Sequence, residues 1–242
     1  MHTETYKVKG MHCASCAGII EKTVKKTVGV HSAHVNYGTE TAKIVFDESK
    51  VGPQQISQTI EKLGYSLSTE TAREMGMSED EHALHLGLNQ SKKEKLAEVL
   101  DLRNKIISAI PLAVFSIFVM GWDIFAEYKL LSPMSYTVKE FIHHLLPLFA
   151  TYTLFVVGKP YLLGFYRFLR YGKANMDTLI GIGTSAAYLY SFAVSALEDT
   201  LRPFLNVEYT YYDVTIVVIT FIALGKYLEA KSKIKTGDAI EK

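Results

Sequence analysis

TETYKVKGMHCASCAGIIEK, residues 3–22, decides how the amino-terminal part of this 242-residue chain reads. Its first residues alternate, with Tyr6 and Val8 on one face, and beyond Cys13 the apolar Ala17, Ile20, Val24 and Val28 recur at helical spacing. A strand that turns through a loop into a helix is the expectation. Both cysteines of the chain, Cys13 and Cys16, stand in that loop and in the first helical turn.

Outward from this stretch the pattern continues. VHSAHVNYG (30–38) and TAKIVFD (41–47) read as two strands joined near Gly38, with Val30, Ala33, Val35, Ile44 and Phe46 as core candidates. PQQISQTIEKLG (53–64) begins with a proline suited to a first helical turn, turns Ile56 and Ile60 inward, and ends on a glycine suited to a C-cap. YSLST (65–69) closes the series as a last strand. The order βαββαβ is an α+β, ferredoxin-like arrangement over residues 1–70.

The placement of the thiols limits their chemistry. At the start of a helix, unpaired N–H groups and the positive end of the peptide dipole favour thiolate over thiol, so two adjacent soft donors result. Cu(I) accepts thiolates at low coordination number, whereas a structural Zn(II) site takes about four ligands. His12 is the nearest candidate for a third donor, or else an ordinary exposed loop residue. A thioredoxin-type redox pair, which requires another strand–helix context, and incidental cysteines are the alternatives to a metal site.

GMHCASCAGIIE…GV…VNY…IVFD…IEKLGYS resembles the heavy-metal-associated domain of copper chaperones and of heavy-metal-transporting P-type ATPases, across the first seventy residues. The resemblance implies metal binding by Cys13 and Cys16. Zinc-, cadmium- and lead-transporting members often carry an acid before the first cysteine; His12 in that place implies copper, with silver chemically closest.

Beyond this domain the composition shifts. A charged fraction of 21% and a mean hydropathy of +0.11 are too polar for a purely membrane chain and too apolar for a soluble one. A net charge of +1 suggests no nucleic-acid partner. Residues 71–104 read as a linker and helical lead-in: SEDE (78–81) and SKKE (91–94) have capping-box spacing, while Met75, Met77, His82 and His85 lack the spacing of a metal site. Within 105–230 lie four apolar stretches, roughly 106–128, 141–157, 178–197 and 209–228. Each is near the ~20 residues that cross a ~30 Å hydrocarbon core, the second being short and interrupted by Pro147.

Basic residues set the expected topology. Lys92, Lys93, Lys95, Arg103 and Lys105 precede the first span; Lys159, Arg167, Arg170 and Lys173 separate the second from the third; Lys231, Lys233, Lys235 and Lys242 follow the fourth. The other loops carry only Lys129, Lys139 and Arg202. Both termini are therefore expected in the cytosol of a plasma (inner) membrane protein, with residues 231–242 opening a cytoplasmic segment. The first thirty residues carry charge throughout, so no signal peptide is expected. Tyr209, Tyr211 and Tyr212 are expected as an aromatic anchor at the outer interface.

Two further patterns stand in the membrane region. Gly183, Ala187, Ser191 and Ser195 recur every four residues and predict a small-residue packing stripe on the third span. Near 158–173, Lys159, Arg167, Arg170 and Lys173 fall within a ~120° arc opposite Phe165, Phe168 and Leu169, predicting an amphipathic segment on the membrane surface. Pro160 and Gly164 would permit a bend at its start. Ordinary positive-inside flanking sequence is the alternative.

NMDTLIGIGTSAAYLYS and YYDVTIVVITFIALGKYLEAKSKIKTGDAI resemble the third and fourth membrane helices of copper-transporting P-type ATPases, which follow two class-specific helices and a bent amphipathic platform. The resemblance implies that Met176 and Glu229 take up the ion on the cytoplasmic side and that Asp213, where relatives have glutamate, lies toward the exit. It also implies that the platform, here without the usual paired glycine, docks a soluble chaperone or the protein's own metal-binding domain. The chemistry agrees. A thioether is a soft, neutral donor able to pass Cu(I) on, acids in membrane segments are costly, and the sixteen residues from Asp213 to Glu229 span ~24 Å. A methionine and two acids near helix ends can also simply meet headgroups and water.

Within residues 1–242 there is no TGE, no DKTGT phosphorylation motif and no P-loop. ATP and Mg are thus expected only in a longer chain, and this one is not expected to hydrolyse ATP by itself. The resulting expectation is Cu(I) binding and translocation as part of an ATP-driven exporter, with a membrane-tethered copper-delivering or copper-sensing protein as the alternative. The implied partners are the copper ion, a soluble copper chaperone and the lipid bilayer.

Overall fold

The computed structural model describes residues 1–68, 90–204, 207 and 209–240. Thr69, the helix start at 78–81, the side chains of 91–94, Met75, Met77, His82, His85 and Lys242 lie outside the described residues. The chain forms two compact units, residues 1–96 with 166–176, and residues 97–165 with 177–242.

In the first unit the alternation of residues 2–9 becomes β1 (His2–Lys9), followed by α1 (Ala14–Val24), β2 (Val30–Asn36), β3 (Thr41–Phe46), α2 (Pro53–Glu61) and β4 (Ser66–Leu67). The strands form one antiparallel sheet in the order β2-β3-β1-β4, with Tyr6 opposite Ala42 and Val8 opposite Leu67. Inward positions of the sheet and one face of each helix meet in a core of Tyr6, Ile20, Val24, Ile44, Phe46, Ile56 and Ile60. Each such fully buried side chain contributes ~1.5–3 kcal/mol.

The helix ends follow from particular residues. Pro53 lies in the first turn of α2, and the Gln55 side chain accepts the Gly52 N–H at 3.2 Å. At the other end Tyr65 N–H donates to Ile60 O and Gly64 N–H to Glu61 O. That is a Schellman closure, which places Gly64 in the left-handed region at φ +90°. Val28 departs from expectation. It is 83% exposed, because α1 stops at Val24 and the helical period no longer applies in the turn before Gly29.

The rest of the described chain is helical: α3 (Gln90–Glu127), α4 (Tyr136–Tyr152), a π-helical turn (Thr153–Val157), α5 (Lys159–Tyr171), α6 (Met176–Ala196), α7 (Glu198–Leu201) and α8 (Tyr212–Ile240). Leu96–Glu127, Tyr136–Val157 and Met176–Ala196 are each long and apolar enough to cross a membrane. The fourth expected span lies in α8, where Asp213, Lys226 and Glu229 interrupt the apolar run. Pro111 and Pro147 stand inside their helices without ending them.

Several packing details differ from the sequence reading. Helical hydrogen bonding changes at the π-turn and at Gly158, whose N–H donates to Thr153 O at 2.8 Å, while α5 runs unbroken past Gly164. Gly164 instead allows a close approach, since a Cβ there would stand 2.9 Å from Asp177 Cβ. The buried face of α5 is Tyr161 and Gly164, and Leu169 is exposed. In α6, Gly181 meets α5 so closely that a Cβ would fall on the Tyr161 carbonyl, whereas Gly183 faces open space. The four-residue stripe is therefore covered only in part, Ser191 Oγ accepting the Tyr211 N–H at 2.7 Å. Tyr212 is buried against Ile216 and Ala113, so of the expected anchor only Tyr209 and Tyr211 are exposed.

Candidate metal centre

Cys13 is the N-cap of α1 in an extended conformation (φ −164°, ψ 161°), and no acid stands in the first turn to oppose an anionic sulfur. Its carbonyl accepts the Cys16 N–H at 3.0 Å, which folds the loop so that the two Sγ atoms lie 2.7 Å apart. Both are free thiols, Cys13 half-buried and Cys16 buried at 1% exposure. Met11 belongs to the core and is not offered to a ligand.

The sulfurs differ electrostatically. Burial raises the Cys13 pKa, but hydrogen bonds from the Cys16 thiol, Ser15 and the backbone outweigh it and leave Cys13 below the ordinary thiol range. Burial and the shared hydrogen bond push Cys16 up. Cys13 is thus the more acidic thiol of the pair, and Cys16 the one that gives up its proton less readily. At neutral pH iodoacetamide should alkylate Cys13 at least ~10-fold faster than Cys16, as read by peptide mass spectrometry; equal rates would remove the asymmetry.

Tyr65 is a neighbour that the sequence reading did not single out. Its hydroxyl donates toward the Cys16 sulfur, and burial followed by that sulfur pushes the phenol up, so it stays protonated. The sheet brings it there. β1 and β4 pair through Lys9 and Ser66, so the next residues on each strand, Gly10 and Tyr65, come together. Gly10, at φ +87°, leaves no room for a Cβ, which would stand 2.5 Å from the Gly64 carbonyl oxygen and at contact distance from the Tyr65 ring. A tyrosine placed directly after the glycine that ends α2, just before the last strand, was the available signal.

The other expected site residues lie on the helices. Met176 is the first residue of α6 and is 37% exposed. Asp213 is in the first turn of α8 and half-buried; Glu229 is on the same helix and exposed. Lys159 opens α5 and is exposed, Arg167 is half-buried, Arg170 donates to the Tyr166 hydroxyl at 3.0 Å, and Lys173 lies past the helix end. Among the described residues no three His, Cys, Asp or Glu side chains cluster as a metal site.

Known proteins share this organisation. Residues 5–66 match the heavy-metal-associated domain. A copper-exporting P-type ATPase of Staphylococcus epidermidis is 33% identical over 96% of this chain and 26% of its own length. One of Bacillus subtilis is 30% identical over 98% of this chain and 27% of its own length. A solved structure of the N-terminal soluble domains of Bacillus subtilis CopA is 42% identical, covers 27% of this chain and 45% of that chain, and has a TM-score of 0.26. The chain spans about a quarter of the length of the curated relatives it matches. A heavy-metal-associated domain thus stands at residues 5–66, and the similarity to copper-exporting P-type ATPases runs on from it through the helices that follow.

Proposed function

We propose that Cys13 and Cys16 take up Cu(I) as cargo and that the membrane helices receive it, as the metal-receiving part of an ATP-driven copper exporter. The observation that carries this reading is the thiol pair, 2.7 Å apart at an acid-free helix start with Cys13 the more acidic. Two thiolates match a soft, low-coordinate ion, and the similarity to copper-exporting relatives supports copper as the cargo.

Transfer then follows from ligand exchange. A sulfur can join the ion before another leaves, so Cu(I) passes from Cys13 and Cys16, or from a soluble chaperone, to Met176 and Glu229, and leaves toward Asp213. Lys159, Arg167, Arg170 and Lys173 attract an acidic chaperone face, an effect that weakens with salt. The same residues set both termini in the cytosol of the plasma membrane. In this reading the ATP-consuming domains lie outside residues 1–242.

The test is uptake of Cu(I) into inverted vesicles by the protein extended with its catalytic domains. Met176→Ala should lower transport about tenfold, while Leu179→Ala, at a position 72% exposed on the same helix, leaves it near wild type. Wild-type rates in both Met176→Ala and Glu229→Ala would return those residues to the role of headgroup neighbours.

A further inference from the structure

Asp177 and Lys226, forty-nine residues apart, form a buried ion pair: Lys226 Nζ donates to Asp177 Oδ1 at 2.5 Å, with side-chain exposures of 15% and 10%. The ammonium also stands 4.8 Å from the centroid of the Tyr161 ring. Three helices meet here, α5 through Tyr161, α6 through Asp177 and α8 through Lys226. The approach is held by backbone as well, because Thr178 Oγ1 donates to the Gly164 carbonyl at 3.3 Å.

Charges within membrane helices are expensive unless paired, and their pairing partner is then effectively obligatory. Asp177 is not itself a suitable Cu(I) ligand, since its oxygen is hard and already engaged by Lys226. What the pair can do is mechanical. A short, directional bond between the first turn of α6 and the cytoplasmic half of α8 forbids those helices to slide by a turn, because sliding would strand both charges. Met176 immediately precedes Asp177, and Glu229 follows Lys226 by three residues, about one helical turn.

We propose that the Asp177–Lys226 pair, seated on Tyr161, is a clamp that sets the register of α6 against α8 and thereby positions Met176 and Glu229 for the ion. The second half rests on the reading of Met176 and Glu229 as ion ligands. Asp177 and Lys226 are positioning residues and touch no metal.

The test uses residues 1–242 in detergent with Cys13→Ser and Cys16→Ser, so that only the membrane site binds. Hydrogen exchange of the amides of residues 176–182 reads the clamp, and Cu(I) competition with a chelator reads the site. Asp177→Asn and Lys226→Met should each raise the exchange and weaken Cu(I) binding by about tenfold, and Lys226→Arg should stay within about threefold of the parent on both. The double variant Asp177→Asn with Lys226→Met buries no orphan charge, and it should exchange as fast as the single variants because the register bond is gone. Should a single variant fail to fold, the double variant carries the test. Exchange at the parent rate in the double variant would overturn the clamp. Faster exchange with unchanged Cu(I) affinity, while Met176→Ala weakens it, would overturn the positioning. If neither Met176→Ala nor Glu229→Ala alters affinity, the ligand reading fails by itself, and exchange still decides the clamp.

Discussion

Replacing Cys13 and Cys16 together by serine should reduce the Cu(I) affinity of residues 1–68 by at least about a thousandfold, or ~4 kcal/mol. The size of the effect follows from the site's composition. Both sulfurs are lost at once, Met11 is buried in the core, and no third His, Cys, Asp or Glu is clustered there to replace them among the described residues. Serine hydroxyls are hard donors and stay neutral at pH 7, far below the pH at which they ionise, so they cannot stand in for thiolates toward a soft ion. The fold should survive, because Ile20, Ile44, Phe46, Ile56 and Ile60 supply the core without the thiols. Chelator competition reads the affinity and circular dichroism the fold. Full affinity in the doubly substituted domain would place the metal elsewhere.

The second large effect lies in α6, where one substitution made two residues apart should act with opposite sign. Gly181→Ala drives a Cβ onto the Tyr161 carbonyl and against Phe165 Cβ, both parts of α5 that cannot rotate away. Overpacking against backbone should destabilise the helical unit by roughly 2–3 kcal/mol or more. Gly183→Ala meets nothing within 4 Å and gains helix propensity, so it should be neutral or stabilise by up to ~1 kcal/mol. Thermal unfolding in one detergent, with the two variants side by side, measures the difference. Equal melting temperatures would mean that α5 and α6 do not pack through Gly181.

These contrasts show what the sequence made legible. The strand–loop–helix around Cys13 could be read because period-2 alternation gives way to helical spacing within a few residues, and because Pro53 and Gly64 mark their helix ends chemically. Val28 was misread for the same reason in reverse: a period continues on paper after the hydrogen bonds have stopped at Val24. Tyr65 stayed hidden because its approach to Cys16 depends on β4 lying beside β1, a matter of sheet order and not of spacing.

Length and apolarity mark three of the four expected spans among the described helices, but rotation about each axis is set by the partner. Counting small residues by fours selected Gly183, whereas the close approach of α5 selects Gly181. The Asp177–Lys226 pair was illegible for a related reason. Each residue read singly is a charge near the end of an apolar stretch, and only the tertiary fold joins them.

The π-turn at Thr153–Val157 has a consequence for the azimuth of everything after it. An i→i+5 turn takes up one residue more than an α-turn, and one residue corresponds to ~100° around a helix axis. The side chains of α5 are thus out of phase with those of α4 by that angle, although the chain between them contains no long loop. The direction in which Lys159 points is therefore encoded upstream, in residues Thr153 to Val157, and not in the basic residue itself. Loss of a single residue from that turn would leave composition, charge and hydropathy almost unaltered while turning the Lys159 side chain about a quarter of a circle away from its present bearing.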